Sequence, residues 1–163
     1  MEIKFEGPAI LVKDMEKSRA FYEGLLKQEV LADFGKEMIP FKSGFSVWKD
    51  DHATGIIFDG KQQTPTQLAN DNFEMYFETE GLDDVWKDIE ARCADIIHPI
   101  REAPWGQRGF RLRDPDGYVV EVSESLKALF MRLLDMGMTP EKIAERVGVP
   151  LEMVNGMTQY RVG

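Results

Sequence analysis

Apolar and polar residues alternate along the chain with two different periods, and the changes of period outline its elements. A period of two from Lys4 to Lys13, with Ile10 and Val12 on one face, predicts a strand; from Met15 to Lys27 the residues Met15, Phe21, Leu25 and Leu26 recur at helical spacing and predict a helix. Three short apolar runs follow, Val30–Phe34, Glu37–Phe41 and Phe45–Trp48, and read as strands. The same order returns at an offset of roughly 66 residues, a size suited to a duplicated supersecondary unit. It comprises a strand from Phe73 to Thr79, a helix from Leu82 to Cys93 striped with Leu82, Val85, Trp86 and Ile89, and strands near Ile96–Ile100, Arg108–Arg113 and Tyr118–Ser123. Residues 59–71, polar around Lys61-Gln62-Gln63-Thr64-Pro65-Thr66, join the two units.

Beyond Ser123 the strand pattern gives way to helices. Leu126, Leu129, Phe130, Leu133 and Leu134 form one stripe; Thr139-Pro140 is an N-cap followed by proline at the first helical position, and Gly148 is a stop before a new start at Pro150. Three short helices are predicted, with a helix-turn-helix outline over Thr139 to Gly148. Their charges argue against a nucleic-acid partner. Lys127, Arg132, Lys142, Arg146 and Arg161 are matched by Glu124, Asp135, Glu141, Glu145 and Glu152, and the last helix offers no Lys or Arg to a phosphate.

The stretch with the most chemical content is Pro104-Trp105-Gly106-Gln107-Arg108-Gly109-Phe110 followed by Asp114-Pro115-Asp116-Gly117-Tyr118-Val119-Val120-Glu121. Asp-Pro-Asp-Gly is a hairpin signal, because proline presets the bend, aspartate caps it and glycine takes a backbone conformation other residues avoid. The strand after it carries an isolated carboxylate, Glu121. With the strand-to-helix segment Ile10 to Leu26 and its aromatic pair Phe21-Tyr22, this hairpin resembles the glyoxalase / bleomycin-resistance / dioxygenase group, the vicinal oxygen chelate superfamily. The resemblance implies an α+β fold: two βαβββ units, about residues 3–58 and 72–123, forming a curled mixed sheet around a cleft. A domain of residues 1–124 is then followed by a helical tail, 125–163. It also implies a homodimer, in keeping with the apolar stripe of the first tail helix, which needs a cover.

Members of that superfamily hold a divalent metal with His, Gln or Glu from the first strand of each unit and Glu from the last, leaving coordination positions open to polarise a substrate oxygen. Carried over position by position, the first ligand place falls on Gly7, which has no side chain, and the second nearest Ser46, a poor ligand. The third falls on Glu74 and the fourth on Glu121, both carboxylates. Strand alternation puts Glu74, Tyr76 and Glu78 on one face and Phe73, Met75 and Phe77 on the other; Val119, Glu121 and Ser123 likewise oppose Val120 and Val122. The cleft is therefore expected to be acidic and partly aromatic. Ligand-binding candidates are Glu74, Tyr76, Glu121, Trp48, Trp105 and Arg108, the tryptophans as apolar walls for a planar ligand and Arg108 as an anchor for an acid. Neither histidine falls on a ligand place: His52 sits in the polar, turn-like run Lys49 to Thr54, and His98 ends a short strand.

Composition narrows the choice of function. A formal charge of −9 disfavours nucleic acid and anionic membrane, and no apolar run approaches the roughly 20 residues of a membrane span. The opening Met1-Glu2-Ile3-Lys4 lacks a signal-peptide profile, so a cytoplasmic protein is expected. The one cysteine, Cys93, reads as a buried apolar thiol without a role. There is no P-loop, dinucleotide fingerprint, paired CxxC or nucleophile elbow. The expectation is a small-molecule-binding protein with a degenerate metal site, sequestering a cationic or aromatic compound and needing no cofactor. The alternatives are a divalent-metal-dependent lyase, isomerase or dioxygenase using Glu74 and Glu121, and a ligand-sensing regulator.

Overall fold

The computed structural model describes residues 2–92 and 95–159, and across them the α+β organisation holds: two open mixed sheets, with three helices after the last strand. The chain divides into two compact units, residues 1–73 with 114–118, and residues 74–113 with 119–163.

In the first unit, β1 (Ala9–Val12), β2 (Met38–Pro40) and β3 (Ser46–Lys49) form a sheet with β3 at its centre. It runs parallel to β1, Ala9 opposite Ser46, and antiparallel to β2, Met38 opposite Trp48. Ile10, Val12, Ile39 and Val47 turn into the core, as the period of two requires. Helix α1 (Met15–Arg19) starts at Asp14, whose carboxylate accepts from the backbone N–H groups of Glu16 and Lys17 at 3.1 Å each. The Lys17 bond holds that carboxyl below its ordinary range. The helix then widens into a π-helical turn over Ala20–Leu25, which buries Phe21 and Tyr22. Tyr22 meets Phe21 and Phe45 edge-on at 5.0 and 5.2 Å, so the aromatic pair is core packing. Its hydroxyl donates to Asp114 Oδ2 at 2.7 Å. Asp114 opens the turn that belongs to this unit, and its other oxygen accepts from the N–H groups of Asp116 and Tyr118.

Three expectations fail here. The first strand begins at Ala9 rather than Lys4, because Gly7 takes φ 117° and packs its Cα against Gly44. Val30–Phe34 is no strand: one bridge joins Val30 to Phe41, and Asp33 bends the chain by accepting from Gly35 N–H and pairing with Arg19. The polar run after Lys49 is not a turn but the start of helix α2 (Asp50–Ile57), where Asp50 and Asp51 favour the positive end of the helix and Ala53 and Thr54 are buried.

The second unit contains β4 (Glu74–Thr79), α3 (Leu82–Arg92), β5 (Ile96–Glu102), β6 (Arg108–Arg113) and β7 (Val119–Glu124), with strand order β4-β7-β6-β5. The expected last residue of α3, Cys93, lies outside the described residues. Met75, Phe110, Leu112, Val120 and Val122 form a buried face covered by α3, whose Trp86 lies 5.0 Å from the Phe110 ring. β7 runs parallel to β4 and antiparallel to β6, so Glu121 is flanked by Tyr76 on one side and Arg111 on the other. Helices α4 (Leu126–Asp135), α5 (Pro140–Val147) and α6 (Leu151–Thr158) enclose a core of their own, Leu129, Phe130, Leu133, Ile143 and Val154. Two of their caps are the expected ones, Thr139 starting α5 and Gly148 at φ 76° ending it; α4 starts at Ser125, whose hydroxyl accepts from Ala128 N–H.

Candidate functional site

The sheet face of the second unit opposite α3 gathers charge around one residue that sequence reading did not single out, Arg111. Its Nε donates to Glu74 Oε2 at 2.7 Å, its Nη2 to Glu121 Oε2, and its Nη1 lies 3.4 Å from His98 Nε2. The imidazole is oriented for this, since its Nδ1 faces the Pro99 carbonyl at 2.8 Å and leaves Nε2 to accept. The other oxygen of Glu121 accepts from Ser123 Oγ at 2.6 Å. Glu121 is only 9% exposed.

Glu74 and Glu121 also act on each other, and their proton affinities are pushed apart. Burial raises Glu121 against the opposing Ser123 hydrogen bond, with the Glu74 carboxylate adding to the rise. Burial is the largest influence on Glu74 too and raises it, but the hydrogen bonds with Arg111 and Glu121 and the charge of Arg111 together outweigh that and hold it below the ordinary range. The pair shares one guanidinium, and Glu121 is the member that takes a proton first.

Tyr76, beside Glu121 on β4, donates its hydroxyl to Glu78 at 2.8 Å and accepts from Gln107 Nε2 at 2.9 Å. Burial, and then the Glu78 bond, push its phenol up to about 12. Gln107 also donates to the Glu124 carbonyl at 2.7 Å and accepts from the Trp105 indole N–H at 3.1 Å. Trp105 is thereby tied to Tyr76 through one amide. A cavity of about 310 Å³ opens on this face, lined among others by His98, Arg101, Trp105, Gln107, Arg111 and Glu121. That size is at the lower end for organic ligands. Among the described residues the Arg101 guanidinium, at the rim, has no side-chain partner.

Of the named candidates, then, Glu74, Tyr76, Glu121 and Trp105 meet on one face. Arg108 does not: its guanidinium engages Asp83 of α3 at 2.6 and 3.2 Å and is not among the cavity-lining groups. Trp48 belongs to the first unit, where its indole N–H donates to His52 Nδ1 at 3.1 Å, so His52 is a helix residue with a partner rather than a loop residue in water. The expected acidity is revised as well, because Arg111 stands between the two carboxylates. Arg111 was open to discovery by counting back from the Asp-Pro-Asp-Gly turn; Gln107 and His98 carried no such signal.

The donor set does not fit the metal that the family resemblance implies. At Gly7 a Cβ would lie 1.6 Å from the Gly44 carbonyl oxygen, so no side chain can be built there. Ser46 offers a neutral hydroxyl, and of the remaining two carboxylates Glu121 accepts through both oxygens, from Arg111 and Ser123, and Glu74 through Oε2 from Arg111. Among the described residues no group of three or more His, Cys, Asp or Glu is placed to hold an ion.

Residues 5–127 match the family described as "Glyoxalase-like domain". Among solved structures, a protein of unknown function from Agrobacterium tumefaciens strain C58 is 33% identical, covers 77% of this chain and 97% of its own, and superposes with a TM-score of 0.71. The lactoylglutathione lyase of Agrobacterium tumefaciens is 21% identical over 73% of this chain and 92% of its own, TM-score 0.57. A glyoxalase-related enzyme from Fulvimarina pelagi is 15% identical over 76% of this chain and 89% of its own, TM-score 0.61. At these identities the last two share the fold. No curated protein matches the sequence.

Proposed function

The chain belongs to the glyoxalase-like domain family, and on that premise we propose that it is a small-molecule-binding protein whose second unit takes a planar organic compound without a catalytic metal of its own. One observation carries the reading: Arg111 bridges Glu74 and Glu121, the two places at which this chain has carboxylates to offer an ion. A cation entering there must displace a guanidinium held by charge-assisted hydrogen bonds, and carboxylates without imidazole or thiolate give weak, hard-cation affinity. What remains open to a ligand is the indole face of Trp105 and the rim guanidinium of Arg101, beside an amide and a carboxylate that are already engaged by their neighbours. Those groups suit an aromatic ring with a hydrogen-bonding edge. With Arg111 in place the site favours a neutral compound, then a cation, and disfavours an anion at the Glu121 end.

Three naphthalenes of one shape test this by tryptophan-fluorescence titration: 2-naphthalenemethanol, 2-naphthylmethylamine and 2-naphthoate. The alcohol should bind best, and Glu121→Gln should weaken the amine by about tenfold, the worth of one charge-assisted contact, while sparing the alcohol. Trp105→Phe should remove the response. Tightest binding of 2-naphthoate, or about one equivalent of transition metal that disappears in Glu121→Ala, would sink the reading; the second result would favour a metal-dependent enzyme.

A further inference from the structure

We propose that the C-terminal helical module is a working part of the ligand site: Arg132 and Arg146 are positioning residues that set the loop carrying Trp105. The proposal rests on the ligand-binding reading of that site only for its effect on affinity, not for its effect on Trp105. Helices α5 and α6, and α4 beyond residue 127, lie outside the match to the family.

The loop in question joins β5 to β6. It is a tight turn, closed by Gly106 N–H donating to the Ala103 carbonyl and Ala103 N–H donating to the Gln107 carbonyl, both at 2.8 Å. Both ends of it are gripped from the helices. From α4, Arg132 donates through Nη2 to the Gly106 carbonyl at 2.6 Å and to Glu124 Oε1 at 2.6 Å, and through Nε to Glu124 Oε2 at 3.1 Å. From α5, Arg146 donates to Glu102 Oε1 at 2.6 Å. Arg146 also lies against Gly106, where a Cβ would come within 3.0 Å of its Nε, and the φ of 98° there is one that glycine takes without strain.

From this grip a line of bonds leads to the indole. Glu124, 4% exposed, accepts from Arg108 N–H at 2.9 Å, and its carbonyl takes the Gln107 amide that in turn accepts from Trp105. Gln107 has one amide and spends both ends of it, so a shift of Gly106 moves the Trp105 partner directly.

The plain alternative is that the arginines merely fasten the module to the sheet. Against it, the module's own core consists of Leu129, Phe130, Leu133, Ile143 and Val154, to which neither guanidinium contributes. Within the module each arginine makes one long contact, Arg132 Nη1 to Met136 Sδ at 3.8 Å and Arg146 Nη1 to Met138 Sδ at 3.9 Å, while the short charge-assisted bonds of both reach out of it to the loop and to the strand residues Glu102 and Glu124. A bidentate contact to a largely buried carboxylate plus a backbone carbonyl is geometrically specific in a way that apolar docking is not. Coupling of this kind runs both ways, so a ring that orders Trp105 also tightens the module.

Incorporation of 5-fluorotryptophan supplies the readout: three fluorine resonances, from Trp48, Trp86 and Trp105, assigned by single Trp→Phe changes. In ligand-free protein, Arg132→Met should shift or broaden the Trp105 resonance and leave those of Trp48 and Trp86 in place. Arg132→Lys, which can still reach the Gly106 carbonyl but cannot also grip Glu124 with two donors, should fall between. Arg146→Gln, a more exposed position, should produce a smaller shift of the same resonance and serves if Arg132→Met does not fold. Affinity for 2-naphthalenemethanol should drop by about tenfold in Arg132→Met. An unmoved Trp105 resonance in folded Arg132→Met or Arg146→Gln overturns the proposal, as does a shift shared equally by all three tryptophans. If the resonance moves but the parent protein binds none of the naphthalenes, the ligand-binding reading falls and the positioning role stands.

Discussion

Replacing Arg111 by methionine keeps most of the apolar stem and removes the one cation between two neighbouring carboxylates. Cutting a fully buried pair in this way costs about 3–5 kcal/mol, because a charge is left without compensation. Here the Arg111 and Glu74 side chains are each 37% exposed and Glu121 12%, so water makes good part of the loss at Glu74 and little of it at Glu121. A cost of about 1–3 kcal/mol follows, or about 3–9 °C in Tm for a chain of this size. The pH dependence is the sharper test. Glu121 already holds its proton above the ordinary range through burial, and loss of Arg111 raises it further. A group whose proton affinity is raised by folding stabilises the native state below its unfolded value and loses that contribution as pH climbs through the folded one. The deficit of Arg111→Met should therefore be smaller near pH 4, where part of the bond to Glu74, held low by Arg111, is what is lost, and reach its full size by neutral pH. Glu121→Gln in the same background should restore most of the stability and flatten the pH dependence. Urea denaturation from about pH 4 to 8 measures all of this. An equal deficit at both ends of that range, or a coupling between the two changes below about 0.5 kcal/mol, would refute the account of Arg111 as the partner that keeps Glu121 ionised.

Tyr22→Phe should cost about 1.5–3 kcal/mol in denaturation experiments, since it leaves the ring packing intact and removes the hydroxyl that donates to buried Asp114 at 2.7 Å; a loss under about 0.5 kcal/mol would show that the hydroxyl bond is not what ties the turn to the helix. Gly7→Ala should lose about 2 kcal/mol or more by thermal denaturation, through the clash with the Gly44 carbonyl and the left-handed φ together. A neutral outcome there would mean that the chain around Gly7 can move aside.

The parts of the fold that were legible are those where two independent signals coincide. β4 and β7 were readable to within one residue at their ends, because the period of two and the burial of Met75, Val120 and Val122 agree, and α5 was readable because Thr139-Pro140 and Gly148 bracket it. Where only one signal was present it misled. Leu31 and Phe34 made an apolar run, but Asp33 and Gly35 turn the chain there and leave both exposed. Asp50 and Asp51 resembled a polar turn, although two acids ahead of an alanine are just as good a helix start, and burial of Ala53 decides between them only in three dimensions.

The site divides along the same line. Glu121 was found from its place in the hairpin, and the same hairpin held Arg111 in plain view: with Arg113 paired to Val119 across the turn, each step back along β6 is a step forward along β7, and two steps bring Arg111 opposite Glu121. Antiparallel register is arithmetic once a turn is placed, so a charged residue across from a functional carboxylate is always open to prediction. The contacts of Gln107 with Tyr76, and of Arg132 and Arg146 with Glu102 and Gly106, obey no such rule. β5 meets β6 through register irregularities, and an amphipathic stripe tells which side of α4 is apolar without telling which loop its polar side will meet. The acidic cleft expected from Glu74 and Glu121 alone was therefore an error of omission. A sheet face read one strand at a time records each charge but not the charge that a neighbouring strand sets against it, and here that neighbour sets one guanidinium between the two acids.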